Sequence, residues 1–234
     1  MSNPRDSDID LPGSSQDEIQ KIKIMRASIE HENPLAKEVD DMTLRRFLRA
    51  RDHDIPKAST MFLNYLTWRR SFIPRDGISK DDIRNKLAMN NIFLQGFDKL
   101  GRPIVVAIGA RNIPVKNDDD IEELKKYIVY AMEKACSRTQ KDDDKLVLIA
   151  DLKGWGFSNL DMKGHHAIAP IVEQYYPERM GKVFIVHAPS IFSFAWKLVQ
   201  PIVDQNTKKK VHLNIPINHT LFLTRLISDL RMTI

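Results

Sequence analysis

A single cysteine, Cys136, stands in the 234-residue sequence, so no disulfide can form within the chain, which fits a reducing compartment. No apolar run reaches the ~18 residues that a membrane-spanning helix needs, so any membrane contact is expected to be peripheral. The opening "MSNPRDSDID" is polar and acidic, unlike a secretory signal, and the expected location is cytoplasmic. There is no internal repeat and no long low-complexity tract. Enzyme signatures are missing too: no G-x-S-x-G surrounds Ser158, and neither a Walker loop nor a dinucleotide-binding G-x-G-x-x-G occurs. His165 and His166 are adjacent and cannot face the same way on a helix, so no metal site is expected. The acidic runs Asp118–Asp120 and Asp142–Asp144 lack EF-hand spacing and suit a helix cap or a solvated loop. Neither a catalytic centre nor a cofactor is expected.

What the sequence does have is apolar content, 42% of residues, enough for a sizeable core, and a net charge of +5. That charge favours an anionic partner, nucleic acid or an acidic membrane surface. With no nucleic-acid-binding module, nucleic acid is not expected.

Along the chain, residues 1–17 read as a polar, disordered leader. Residues 18–86 read as a small helical domain. Its first helix has helical spacing at Ile19, Ile22 and Met25/Arg26. A second carries Leu44, Phe47 and Leu48 on one stripe. A third has Asp54 as N-cap, Pro56 in its first turn, and Ala58, Met61, Phe62 and Tyr65 on one face. From residue 87 the period changes. Two strands flank the turn Asp98–Gly101, an amphipathic helix spans Ile121–Cys136, and "KLVLIAD" (145–151) is a buried strand. A helix from Met162 to Tyr176, the strand "KVFIVHA" (182–188), a helix over Ile191–Val203 and a short strand "VHLNI" follow. Alternating strands and helices predict an α/β fold with a largely parallel sheet over residues 87–234.

Four stretches hold chemistry. Arg51 stands at i+7 from Leu44, on the apolar stripe and away from Arg45, Arg46 and Arg49. It is either a helix C-terminal cation or an inward charge that needs an anion. The helix 191–203 has two apolar stripes, Ile191/Phe194/Ala195/Leu198/Ile202 and Phe192/Trp196/Val199/Val203. It is either buried on both sides or a lid with one face on an apolar cavity and the other toward lipid, with Pro201 as hinge. The lysines of "DQNTKKK" (204–210) form a solvated face or attract acidic phospholipid, worth about 1 kcal/mol each near the surface. In "YYPERMGK" (175–182), Pro177 stops a helix, Arg179 suits its C-terminal dipole and Gly181 turns the chain into the strand, leaving Glu178 without a role.

These stretches, in order, resemble CRAL-TRIO lipid-binding proteins, in particular the branch typified by phosphatidylinositol transfer proteins. The likeness rests on "TLRRFLRARDHDIPKASTMFLNYLTWRR", "FDKLGRPIVV", "LVLIADLKGWGFSN" and "YYPERMGKVFIVHAPSIFSFAWKLVQPIVDQNTKKKV" and spans residues 40–212. It implies a helical N-terminal domain and an α/β lobe holding one phospholipid in an apolar pocket beneath a gate helix. Phe192, Phe194, Trp196, Leu198, Val199 and Ile202 would form that gate and pocket wall. It further implies an inositol phosphate site in which Arg51 and Lys210 meet the headgroup by charge-assisted bonds, while Glu178 and Thr207 orient the ring; Asp204 heads the same stretch. The expected activity is non-enzymatic binding and transfer, or presentation, of a phosphatidylinositol-type lipid by a monomer that touches membranes transiently. Alternatives are a carrier of a sterol, tocopherol or retinoid, a lipid-independent adaptor, and an enzyme using Ser158 with His187. Two departures stand out. Leu94, Val105 and Gly156 occupy positions where phosphatidylcholine-binding members carry tyrosines and a hydroxyl residue, and residues 213–234 do not match the family pattern.

Overall fold

The computed structural model describes residues 13–140, 143–203 and 205–213, with only the backbone of Ile202 and Asn206. The chain forms two compact units, one ending at Pro74 and the other beginning at Arg75. In the first, α1 (Gln16–Glu32), a 3-10 turn (Pro34–Glu38), α2 (Asp41–Arg49) and α3 (Ile55–Phe72) surround a core of Ile22, Met25, Leu44, Phe47 and Phe62. Each helix begins on a side chain that accepts an otherwise orphaned backbone N–H: Ser15 from Glu18 at 3.2 Å, Asp40 from Thr43 at 2.6 Å and the expected Asp54 from Lys57 at 3.1 Å. Phe47 and Phe62 meet edge to face at 5.2 Å.

The buried stripe of α1 runs through Glu18, Ile22, Met25 and Ile29, so the position one residue before Ile19 carries a carboxylate into the core. Glu18 is tolerated there because Arg49 grips both its oxygens, at 2.6 and 2.7 Å, and His53 Nε2 lies 3.0 Å away. Burial alone would raise the Glu18 pKa; the hydrogen bonds from Arg49, His53 and Ser14 outweigh it and bring it down to about 2.

The second unit opens with a 3-10 turn (Asp81–Ile83) and α4 (Arg84–Ala88). The expected boundary after residue 86 therefore falls later than the observed break, because α4 belongs to this unit. Lys86 Nζ sits 3.3 Å from Asp120, and the Asn85 N–H donates to Glu123 at 2.7 Å, tying α4 to α5 (Asp118–Cys136). Then come β1 (Ile92–Phe97), β2 (Pro103–Ile108), β3 (Leu146–Asp151), α6 (Met162–Tyr175), β4 (Met180–Val186), α7 (Phe192–Val199), α8 (Gln205–Lys209) and β5 (Val211–Leu213). The five strands lie in sequence order, the first pair antiparallel and the rest parallel, as the strand–helix alternation predicts. The β1–β2 turn closes on Asp98, whose carboxylate accepts from Leu100 N, Arg102 N and the Arg102 guanidinium, while Gly101 takes φ 79. The acidic run 118–120 forms the first turn of α5, where it suits the dipole.

Strand periodicity of two sorts side chains onto two faces. Ile104, Val147, Ile149, Phe184 and Val186 form a dense cluster on one. The other presents Val105, Ala107, Leu148, Ala150 and Ile185 toward α5, α6 and α7. The alanines fall on that second face, which leaves it under-filled.

Glu18→Gln tests the first unit. A pKa depressed to about 2 from 4.5 contributes stability that is fully present above pH 4.5 and lost as pH falls toward 2. The substitution is expected to cost at most about 3 kcal/mol at neutral pH. It should also flatten the acid dependence of the first unit's urea midpoint between those pH values.

Candidate functional site

The under-filled face bounds a cavity of about 440 Å³. Leu124, Ile128 and Met132 of α5 form one wall, Ile168 and Val172 of α6 another, and α7 closes it with Phe192, Ala195, Trp196 and Val199. Such a volume lies in the range of small-molecule sites, roughly 300–1,000 Å³. It is about three times the ~150 Å³ of an apolar cavity that stays dry and binds benzene.

The two stripes of α7 divide as a lid requires. Phe192 and Trp196 stack at 6.0 Å on the cavity side, and Trp155 meets Phe192 edge to face at 6.0 Å. Ala195, expected on the other stripe, also points inward and is buried. Phe194 and Leu198 stay 57% and 43% exposed, which removes the reading of a helix buried on both sides. Phe194 packs edge to face on Phe157, itself 53% exposed, so a two-residue aromatic patch lies outside the lid. At Pro201 the α-helix gives way to a 3-10 turn (Gln200–Ile202), since proline has no N–H for the α ladder.

The polar cluster beside the cavity forms around Glu178. The sequence assigned the chain reversal to Gly181, but Glu178 makes it, in a left-handed conformation at φ 56. A non-glycine residue held there costs on the order of 1 kcal/mol or more, and such strain persists only where surrounding contacts impose it. Here they do. Lys145 Nζ donates both to the Glu178 backbone carbonyl and, at 3.2 Å, to Oε2, and Lys210 Nζ donates to the same Oε2 at 3.2 Å. Gly181 instead lies within β4, at the bulge opposite Leu146 and Val147. A Cβ there would sit 3.0 Å from the Arg102 guanidinium and 3.1 Å from Lys145 Cβ and would crowd both, so the glycine serves close packing and not a turn.

Burial alone would raise the Glu178 pKa, but the ammonium groups of Lys145 and Lys210 prevail and hold it below the usual carboxylate range. Burial pushes the Lys145 pKa down, against the attraction of Glu178. Among the described residues bonded to one another here, two ammonium groups and one carboxylate leave one positive charge in excess. Leu146, next to Lys145, and Met180, two residues after Glu178, line the cavity, whereas Lys145, Glu178 and Lys210 themselves do not.

Of the predicted headgroup residues, the fold brings Glu178 and Lys210 together, and Thr207 lies one turn before Lys210, its carbonyl accepting from Lys210 N at 2.9 Å. Asp204 and the side chain of Ile202 lie outside the described residues. Arg51 belongs to the first unit. Helix α2 stops at Arg49, so Arg51 follows the helix instead of extending its stripe, and its Nη1 donates to the Ala50 carbonyl at 2.9 Å, a C-terminal contact. Lys145 was not expected. In "DDDKLVLIAD" it reads as the polar start of a strand, and its partner lies 33 residues onward. Ser158 is exposed on a 3-10 turn, and His187, at φ 51, places Nδ1 2.9 Å from Asp151.

Comparison with known proteins covers both units. The CRAL/TRIO domain family matches residues 87–227, which overturns the expectation that the likeness stops before residue 213, and the CRAL/TRIO, N-terminal domain family matches residues 18–64. The Sec14 cytosolic factor of Schizosaccharomyces pombe is 33% identical over 192 residues, which cover 75% of this chain and 66% of that protein. A phosphatidylinositol transfer protein of Eremothecium gossypii, CSR1, is 30% identical over 182 residues, covering 73% of this chain and 41% of that protein. The chain thus spans less than two thirds of the length of either relative. The crystal structure of Sfh5 superposes with a TM-score of 0.66 at 18% identity, over 87% of this chain and 82% of that one, a likeness of fold. Among the described residues, no helix is long and apolar enough to cross a membrane.

Glu178→Gln removes the one acidic side chain in contact with both ammonium groups and is expected to destabilise the second unit by about 1–3 kcal/mol. Adding Lys145→Met to the same chain should recover part of the loss, since the Lys145–Lys210 repulsion it relieves is no longer offset once the carboxylate is gone. Urea unfolding of the two single variants and the double variant measures the coupling.

Proposed function

This chain belongs to the CRAL/TRIO family, and from that premise we propose that it is a non-enzymatic carrier that takes one phospholipid of phosphatidylinositol type from a membrane and delivers or presents it elsewhere. The observation that carries the reading is the apolar cavity closed by a helix with two apolar faces. A cavity walled by leucine, isoleucine, methionine and alanine offers an acyl chain the burial it seeks, roughly 0.8 kcal/mol per methylene. The headgroup preference is supported by the Lys145–Glu178–Lys210 cluster and by the similarity to CSR1, named a phosphatidylinositol transfer protein. A phosphodiester carries one negative charge, which the single excess positive charge of the cluster complements.

On this reading Glu178 acts differently from the role its motif implies. Its carboxylate already bridges two lysines, so it sets their spacing and offsets their repulsion, and its Oε1 remains the side that faces an inositol hydroxyl. Exposed Phe194, Leu198 and Phe157 suit insertion at a membrane surface, where aromatic side chains are favoured.

Mass spectrometry of lipid that co-purifies with the chain is the direct test. Phosphatidylinositol is expected, with the retained amount falling roughly tenfold in Lys210→Ala, the loss of one charge-assisted bond. Recovery of a sterol or prenol in place of a phospholipid overturns the assignment. Phe194→Ser combined with Leu198→Ser should slow transfer between vesicles severalfold while the co-purified lipid stays the same; unchanged transfer removes α7 from the docking surface.

A further inference from the structure

Two lysines meet the Glu178 carboxylate, and they are held unequally. Lys145 Nζ donates to the Glu178 backbone carbonyl and, at 3.2 Å, to Oε2. Lys210 Nζ has a single bond, to the same Oε2 at 3.2 Å. Among the described residues, neither ammonium group bonds any other acceptor. The neighbouring carboxylates have other cations: Asp144 pairs with Arg179 at 3.5 Å, and Arg102 grips Asp98 and lies 4.0 Å from Asp143.

The two lysines therefore differ in what they can give up. Lys145 cannot leave Glu178 without also releasing the carbonyl of a turn held at φ 56, a conformation that persists only where contacts impose it. Lys210 leaves by breaking one part-exposed ion pair, an interaction of little net worth. In a chain without Lys145, a Lys210 that turned to an anion would strip Glu178 of its last cation. A part-buried carboxylate left unpaired is costly, and it repels a phosphate beside it. Lys145 removes that obstacle. It keeps the carboxylate neutralised wherever Lys210 points, so the charge of Lys210 is available to a ligand.

We infer that Lys145 is a positioning residue of the headgroup site: it holds Glu178 through the exchange in which Lys210 passes from the carboxylate to the phosphate of an anionic lipid. It does so without touching the lipid. The inference rests on the reading of Lys210 as a headgroup contact. It deepens that reading by making the preference for an anionic lipid depend on a residue outside the headgroup set that the resemblance implies.

Dioctanoyl-phosphatidylinositol and dioctanoylglycerol serve as probes that share their acyl chains and differ by the phosphate and inositol. Binding is followed by the fluorescence of Trp155 and Trp196, which line the cavity, in a chain carrying Trp68→Phe. The parent is expected to prefer the phosphatidylinositol. Lys145→Met should lower that preference about tenfold, the loss of one charge-assisted bond, while level binding of dioctanoylglycerol reports that the variant has folded. Lys145→Gln, which keeps a donor for the turn carbonyl but no charge, should show the same loss. Lys145→Arg should retain most of the preference. In a chain that also carries Glu178→Gln, no carboxylate needs neutralising, and Lys145→Met should change the preference by no more than about twofold. The inference is overturned, with the headgroup reading left in place, by a preference that survives both Lys145→Met and Lys145→Gln, by a loss shared equally between the probes, or by the same loss repeated in the Glu178→Gln chain. If the parent shows no preference, the headgroup reading falls and this inference falls with it.

Discussion

An apolar space that side chains do not fill is the constraint around which the second unit is arranged. The fold reaches the space by placing Ala107 and Ala150 on one face of the sheet while the opposite face is filled with isoleucine, valine and phenylalanine. Residue choice on two alternating faces of the same strands thus yields a dense core and a receptacle from one sheet. Ligand occupancy and folding stability are then linked, because whatever fills the space binds only the folded chain.

The Glu178 cluster ties together the strands of the same unit. Three segments distant in sequence meet there: the start of β3 through Lys145, the α6–β4 turn through Glu178, and the entry to β5 through Lys210. The turn takes an unfavourable φ so that both the carbonyl and the carboxylate of Glu178 are available to Lys145. Its carboxyl pKa is depressed, so the cluster contributes stability above the ordinary carboxylate range and loses it as pH falls through the depressed value. Gly181 completes the arrangement by letting Arg102 and Lys145 approach the β4 backbone. The density of charge around this one turn is thus a packing solution.

Much of this was legible in the sequence, for identifiable reasons. Strand and helix periods gave the order of elements, because each face of the sheet is buried and the pattern is strong. Asp54, Pro201 and the acidic start of α5 carried local signals whose physics is short-range. What sequence reading missed was long-range or depended on backbone geometry. Lys145 meets a partner 33 residues away, the left-handed turn fell on a glutamate beside a more obvious glycine, and Glu18 enters a core because Arg49, 31 residues on, neutralises it. For Arg51 the structure takes the first of the two sequence readings, a helix C-terminal cation, because α2 ends at Arg49, two residues short of it.

Helix α7 concentrates the conflict between closing a cavity and releasing its contents. Eight residues are too few for a stable isolated helix, and no side chain caps its N-terminus, so it is held by what Phe192 and Trp196 bury. Lifting both from the cavity into water costs roughly 1.5–3 kcal/mol for each large side chain. Phe194 and Leu198 are already exposed and contribute little to holding it down. Against an apolar surface the balance changes. The outer residues gain burial, and the inner ones exchange one hydrocarbon environment for another, so most of the opening cost disappears. A helix apolar on one side only would stay shut at a membrane; one apolar on both sides stays shut in water and loosens where lipid is available. On the proposed function, the narrowing of the polar side of α7 to Ser193 and Lys197 is therefore what couples opening to the place where cargo is exchanged.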